Sequence, residues 1–199
     1  MTRIDPIPVR EWPTEMRGAL AAMVPPEPRY ATPPTKDRPK GLNVLGIYAH
    51  HPVLARAFFT FNGHIMMATS LTLRQRELIV LRVATLRNCA YEWAQHVVMG
   101  RDIGLTDEEI TRVAEGPDAD GWDAADSALL RAMDDLVRDG RISDASWKVL
   151  SGEFDTRQLM DLIFTAGAYE TLAWLIRSFD VQLDADLADV SPKPDHMTP

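Results

Sequence analysis

Between Arg76 and His96 the chain reads R-E-L-I-V-L-R-V-A-T-L-R-N-C-A-Y-E-W-A-Q-H, and Glu77, Cys89, Glu92 and His96 all carry side chains able to move protons. On a helix starting at Cys89, Glu92 and His96 lie four residues apart and share a face, with Cys89 one turn earlier on roughly the same side. A carboxylate beside an imidazole holds the ring's tautomer and raises its basicity. Partial burial moves either group toward neutrality, where general acid and base catalysis works best. A thiol in a first helical turn meets the helix dipole and unpaired N–H groups, which favour thiolate over the ordinary pKa of about 8.5. Each feature also has a plain packing explanation. A Glu–His pair at this spacing is commonly a solvated pair worth roughly 0.2–0.5 kcal/mol, and a lone cysteine is commonly a small buried hydrophobe.

Two ligands from Glu92 and His96 make a poor metal site, because the H-E-x-x-H pattern is absent and no second histidine is placed to complete it. A nucleotide-binding glycine loop is also absent, so neither metal nor cofactor is expected. His50 and His51 precede Pro52 and suit the start of a helix. Tyr91 and Trp93 suit packing.

The elements that must position these residues are helices. Thr72, with Gln75 three residues on, caps a segment running through Leu73, Glu77, Val80, Leu81 and Ala84. Asn88 is expected to cap the next, from Cys89 to about Ile103, stopped by Gly104. Thr106 with Glu109, Asp123, Ser143, and Asp155 with Gln158 mark further starts. The last helix, Thr156 to about Phe179, is expected to bury Leu159, Leu162, Ile163, Ala166, Tyr169, Leu172, Ala173 and Ile176. Upstream, Asn43–Ala49 and a helix from Pro52 to near Ala68 show spacings of three and four. No stretch alternates with period two, so the fold is expected to be all-α.

Residues 1–42 hold nine of the fourteen prolines and read as a Pro-rich arm with one short helix after Pro13. Residues 43–183 form the helical domain, and 184–199 an acidic tail expected to be flexible. A chain of 199 residues suits one core. A net charge of −8 offers no basic footprint for nucleic acid or anionic membranes. No signal segment or uncharged apolar span is evident, and one cysteine fits a reducing compartment, so a cytoplasmic protein is expected.

The R-E-L-I-V-L run around Glu77, the Y-E-W-A-Q-H run from Tyr91 to His96, and Gly104-Leu105 resemble the carboxymuconolactone decarboxylase superfamily, which includes the AhpD-type alkylhydroperoxidases. The likeness covers roughly Asn43 to Leu105, with a looser match of helical layout from Ala125 to Phe179. It implies an AhpD-like helical bundle that assembles as a homo-oligomer: a trimer, dimer of trimers or dimer. The AhpD branch pairs a glutamate and a histidine with C-x-x-C. Here Glu77, Cys89 and His96 fall on that pattern, but Glu92 replaces the second cysteine, so no intramolecular disulfide can close. The decarboxylase branch fits the replacement better. It implies His96 as acid or base, Glu92 tuning it and Glu77 as a second proton carrier.

Three functions follow as expectations. The first is a cofactor-free acid/base enzyme acting on a small carboxylated or lactone-type metabolite, with Arg74, Arg76, Arg82 or Arg87 available for a carboxylate. The second is a one-cysteine peroxidase using Cys89 with Glu77 and His96 as relay. The third is a non-catalytic ligand-binding oligomer.

Overall fold

In the computed structural model, which describes residues 2–36, 38–194 and 196–197, six of the nine α-helices among the described residues begin at a side-chain cap. Among the described residues the elements are α1 (Glu15–Ala21), α2 (Leu42–Tyr48), α3 (Pro52–Gly63), α4 (Leu73–Leu86), α5 (Ala90–Asp102), α6 (Asp107–Glu115), α7 (Ala124–Asp139), α8 (Asp144–Glu153) and α9 (Thr156–Ser178), and no strand occurs. The all-α expectation holds. Thr72 and Thr106 form capping boxes with Gln75 and Glu109, Asp155 does so with Gln158, and Asp123 and Ser143 cap α7 and α8. Each cap satisfies N–H groups that the first turn of a helix leaves without partners.

One cap differs from expectation. Asn88 is not the N-cap of α5; Cys89 is, without a side-chain cap bond. Asn88 instead takes the left-handed conformation, φ 49°, and closes α4. Its N–H donates to Thr85 O at 3.0 Å while that of Cys89 donates to Ala84 O at 2.9 Å. This pair of reversed bonds is the Schellman ending of a helix, and asparagine tolerates the conformation it needs.

By its internal contacts the chain divides into two compact units. The first comprises residues up to Thr69 together with Leu175–Ala188; the second comprises Ser70–Trp174 and the tail from Asp189. The Pro-rich arm packs on the helices after it. In the first unit α1 lies on α3, with Met16 and Ala19 buried. Gly63 admits the Met23 backbone so closely that a Cβ would sit 2.3 Å from its carbonyl oxygen. His51 caps α3, accepting from Leu54 N–H at 3.4 Å, and a short π-helical turn (His64–Ala68) extends it.

In the second unit α4 is central, packing on α5, α6 and α7, with α8 against α7. Its residues from Arg76 to Thr85 are all buried. Three arginines tie this helix and its end to the others. Arg74 reaches Glu109 on α6 and Asp126 on α7 at 2.7 and 2.8 Å. Arg82 grips Asp134 on α7 at 2.6 and 2.9 Å and caps the end of α6 through the carbonyls of Val113 and Ala114. Arg87 pairs with Glu170 on α9 and donates to Val137 O. The tail also makes contacts. Trp93 Nε1 on α5 donates to Pro192 O at 2.8 Å, Arg101 donates to Ser191 O, and Met197 is buried.

Helix α9 is long and apolar enough to cross a membrane by length and composition. It nevertheless buries Leu159, Leu162, Ala166, Tyr169, Ala173 and Ile176 in the protein, as a core helix does. Ile163, expected to be buried with them, is 41% exposed; it lies on the neighbouring stripe with Gly167, Glu170 and Trp174.

Candidate active site

Helix α4 brings Glu77, α5 brings Glu92 and His96, and the tight turn between them brings Cys89; all four are buried. The turn holds Cys89 by its backbone, since its N–H is bonded to Ala84 O and its carbonyl accepts from Trp93 N–H at 3.0 Å. His96 Nδ1 is 2.7 Å from Glu77 Oε2. The other carboxylate oxygen of Glu77 accepts from Arg76 Nε and Nη2 at 2.9 and 2.6 Å. Burial pushes the Glu77 carboxyl up, but His96 and Arg76 outweigh it and hold its pKa below the ordinary carboxylate value. An ionised Glu77 accepts the Nδ1 proton of His96, which leaves Nε2 as the basic nitrogen.

Glu92 is the opposite case. Both of its oxygens are buried and no hydrogen bond of good geometry reaches them. Burial drives its pKa well above the ordinary value, the Glu170 charge adds to this, and only a contact with the Cys89 thiol works against it. That sulfur contact is weak beside the burial, so the orphaned oxygens and the upward direction agree. Glu92 therefore holds its proton more tightly than an ordinary carboxyl, one turn from His96.

Sequence reasoning assigned Tyr169 to the core alone. Its ring meets His96 edge-on at 4.9 Å, and burial together with the charge of Glu77 holds its hydroxyl protonated. The Glu77, His96 and Glu92 spacing was readable within one stretch, whereas Tyr169 enters from α9, and only tertiary packing brings it there. The four arginines considered for a substrate carboxylate each pair with a carboxylate of the protein itself: Arg74, Arg82 and Arg87 between helices, and Arg76 with Glu77. Among the described residues no group of three His, Cys, Asp or Glu side chains is arranged to hold a metal ion.

Residues 52–135, which contain all four proton-moving residues, match the carboxymuconolactone decarboxylase family. That match and the fold together support a likeness to the carboxymuconolactone decarboxylase and AhpD-like superfamily. No curated protein matches in sequence. Among solved structures, an uncharacterized peroxidase-related protein from Silicibacter sp. TM1040 is 18% identical with TM-score 0.68, over 83% of this chain and 96% of its own. The alkylhydroperoxidase AhpD core protein from Ralstonia eutropha JMP134 is 18% identical with TM-score 0.66, over 88% and 100%. The debrominase Bmp8 is 14% identical with TM-score 0.73, over 94% of both chains. A cysteine-to-alanine variant of Bmp8 is known in complex with 2,3,4-tribromopyrrole. At these identities the likeness is one of fold.

Proposed function

We propose that this protein is a cofactor-free acid/base enzyme acting on a small carboxylated or lactone-type metabolite, by decarboxylation or hydrolysis. One observation carries the reading: two fully buried carboxyls in one site have pKa values displaced in opposite directions. Such a split assigns the acid and the base. Glu77 stays ionised and orients His96, whose Nε2 takes a proton, while Glu92 stays protonated and gives one.

In a decarboxylation the electrons of the breaking C–C bond pass into the ring as carbon dioxide leaves, and Glu92 protonates the resulting dienolate at carbon. In a hydrolysis His96 Nε2 takes the proton of the attacking water and Glu92 protonates the leaving oxygen. Tyr169, protonated beside His96, is a further donor to an oxyanion. A homo-oligomeric state and a cytoplasmic location belong to the same proposal. The first is supported by Trp147, Met160 and Phe164, large apolar side chains exposed on α8 and α9; the second by the single cysteine, Cys89, which forms no disulfide.

The test is turnover of a panel of lactones and lactone acids by the wild type and three variants. His96→Gln and Glu92→Gln are expected to abolish it and Cys89→Ser to retain it. A specific observation favours a second reading, that of a one-cysteine peroxidase: the Cys89 sulfur lies against Glu92, one turn from the Glu77–His96 pair. There the thiolate attacks a hydroperoxide oxygen, the O–O bond breaks to release an alcohol, and two equivalents of an external thiol return the sulfenic acid to thiol. Loss of peroxide consumption in Cys89→Ser, with lactone turnover absent throughout, would transfer the assignment to it.

A further inference from the structure

A threonine inside a helix can satisfy its hydroxyl by donating to the carbonyl four residues back. Thr60, Thr85, Thr111 and Thr171 all do so, at 2.8 to 2.9 Å. Thr165, midway along α9, does not: it is fully buried and its Oγ makes no hydrogen bond. An unpaired buried hydroxyl is unfavourable, and the bond to its own helix is available without any change of fold. Four buried side-chain oxygens among the described residues lack a partner. One belongs to Asn62 in the first unit; the other three are Thr165 Oγ and both oxygens of Glu92.

Packing brings Thr165 to the site. Asp161 on α9 accepts from the N–H and the hydroxyl of Ser70, just before α4, at 2.6 Å, and Glu170 accepts from Arg87, just after α4. Helix α9 therefore runs alongside α4 in the same direction, and Thr165, between the two ties, lies beside the stretch of α4 that carries Glu77. Tyr169 follows one turn later on the same face. Its ring meets that of His96 edge-on with centroids 4.9 Å apart, and a long helical side chain leans over the preceding turn, here that of Thr165.

We propose that Thr165 is a further catalytic residue of this site, its hydroxyl held beside Tyr169 for the substrate oxygen on which negative charge develops. The inference rests on the acid/base reading and adds to it the group that meets the dienolate oxygen in a decarboxylation or the tetrahedral oxyanion in a hydrolysis. A hydroxyl tied to its own helix carbonyl would have to break that bond to serve. An unpaired one is ready, and its hydrogen bond strengthens as charge appears. Glu92 supplies the proton, whereas Thr165 keeps its own and donates a hydrogen bond.

Thr165→Val, which removes the hydroxyl and keeps the shape, and Thr165→Ser, which keeps the hydroxyl, test this in the full-length protein by steady-state kinetics on the lactone panel and by urea denaturation. Thr165→Val is expected to lower kcat about 100-fold with KM little changed, the effect of losing one oxyanion donor. Its urea midpoint is expected to equal or exceed that of the wild type, because no bond of the folded protein is lost. Thr165→Ser is expected to keep most of kcat, although the lost methyl lowers its midpoint. Wild-type kcat in Thr165→Val, a loss confined to KM, or an equal loss in Thr165→Ser overturns the proposal. So does a midpoint of Thr165→Val below that of the wild type, which would show the hydroxyl bonded in the folded protein. The acid/base reading fails separately. If His96→Gln and Glu92→Gln turn lactones over as the wild type does while Thr165→Val does not, the oxygen contact stands without it. If the wild type turns over nothing in the panel, that reading fails and the urea comparison, which needs no substrate, decides on Thr165.

Discussion

The two helices that meet at the site, α4 and α5, follow opposite rules. Helix α4 begins in a capping box, ends in a Schellman turn, and satisfies its buried acid three times over, through two bonds from Arg76 and one from His96. Helix α5 begins at Cys89 with no side-chain cap and buries an acid that no good hydrogen bond reaches. Folding alone would favour the arrangement of α4 on both sides. Local breaches of that kind gather where a protein does chemistry, because an acid kept neutral by its surroundings can donate a proton that a satisfied one cannot.

The largest effect is expected from Glu77→Ala. The Arg76 guanidinium is 3% exposed, and removing the carboxylate from a buried pair costs about 3–5 kcal/mol. Urea denaturation should show a loss of that size, and turnover should vanish with the orientation of His96. A loss under 1 kcal/mol would mean that α4 is not the rigid wall described.

Next comes Glu92→Gln, which should abolish turnover yet leave the protein as stable or more so at neutral pH, since the amide carries no charge for burial to penalise. The pH dependence has a definite sign. Glu92 holds its proton more tightly folded than unfolded, so its contribution is fully present below the ordinary value of 4.5 and is lost as pH rises through the folded pKa above it. The variant should therefore gain on the wild type from pH 4.5 upward. Glu77→Gln should do the reverse. The folded pKa of Glu77 lies below 4.5, so its contribution is present above that value and is lost as pH falls through the folded pKa. Urea midpoints across pH that slope the same way for both variants would erase the contrast.

A smaller effect is expected from Thr72→Ala. It removes the hydroxyl that accepts from Gln75 N–H at 3.1 Å and should cost about 1 kcal/mol. Because this cap supports α4 without touching the site, the pH profile of turnover should keep its shape.

These differences also separate what was legible in the sequence from what was not. Caps are local, so Thr72, Thr106, Asp123, Ser143 and Asp155 could be read from neighbours three residues away, and with them most helix boundaries. The spacing of Cys89, Glu92 and His96 placed three groups on one stripe for the same reason. Asn88 misled because N-caps and left-handed helix ends favour the same residue, and only the hydrogen bonds of Asn88 and Cys89 to Thr85 and Ala84 decide between them. The partners of Arg74, Arg82 and Arg87 lie 35 to 83 positions away, and Tyr169 reaches His96 from α9. No local pattern encodes such meetings. The arginines that looked free for a substrate turned out to frame the site instead.

The smallest expected change in stability, and the most discriminating, is that of Cys89→Ser. Burying a hydroxyl in place of a thiol costs about 1–2 kcal/mol when it finds no partner. At Cys89, however, serine would occupy the N-cap of a helix that lacks a side-chain cap, a position where it gains about 1 kcal/mol over a non-capping residue, and its hydroxyl could donate to the orphaned Glu92. These contributions nearly cancel, so the denaturation midpoint should move little. Any large loss of activity in this variant could then not be blamed on misfolding. Retained lactone turnover would leave the thiol as the plug between the two helices and the chemistry on Glu92 and His96. Lost activity in a protein of unchanged stability would make the sulfur the reacting atom, and would recast Glu92 beside it as the acid that protonates the alcohol leaving a cleaved peroxide.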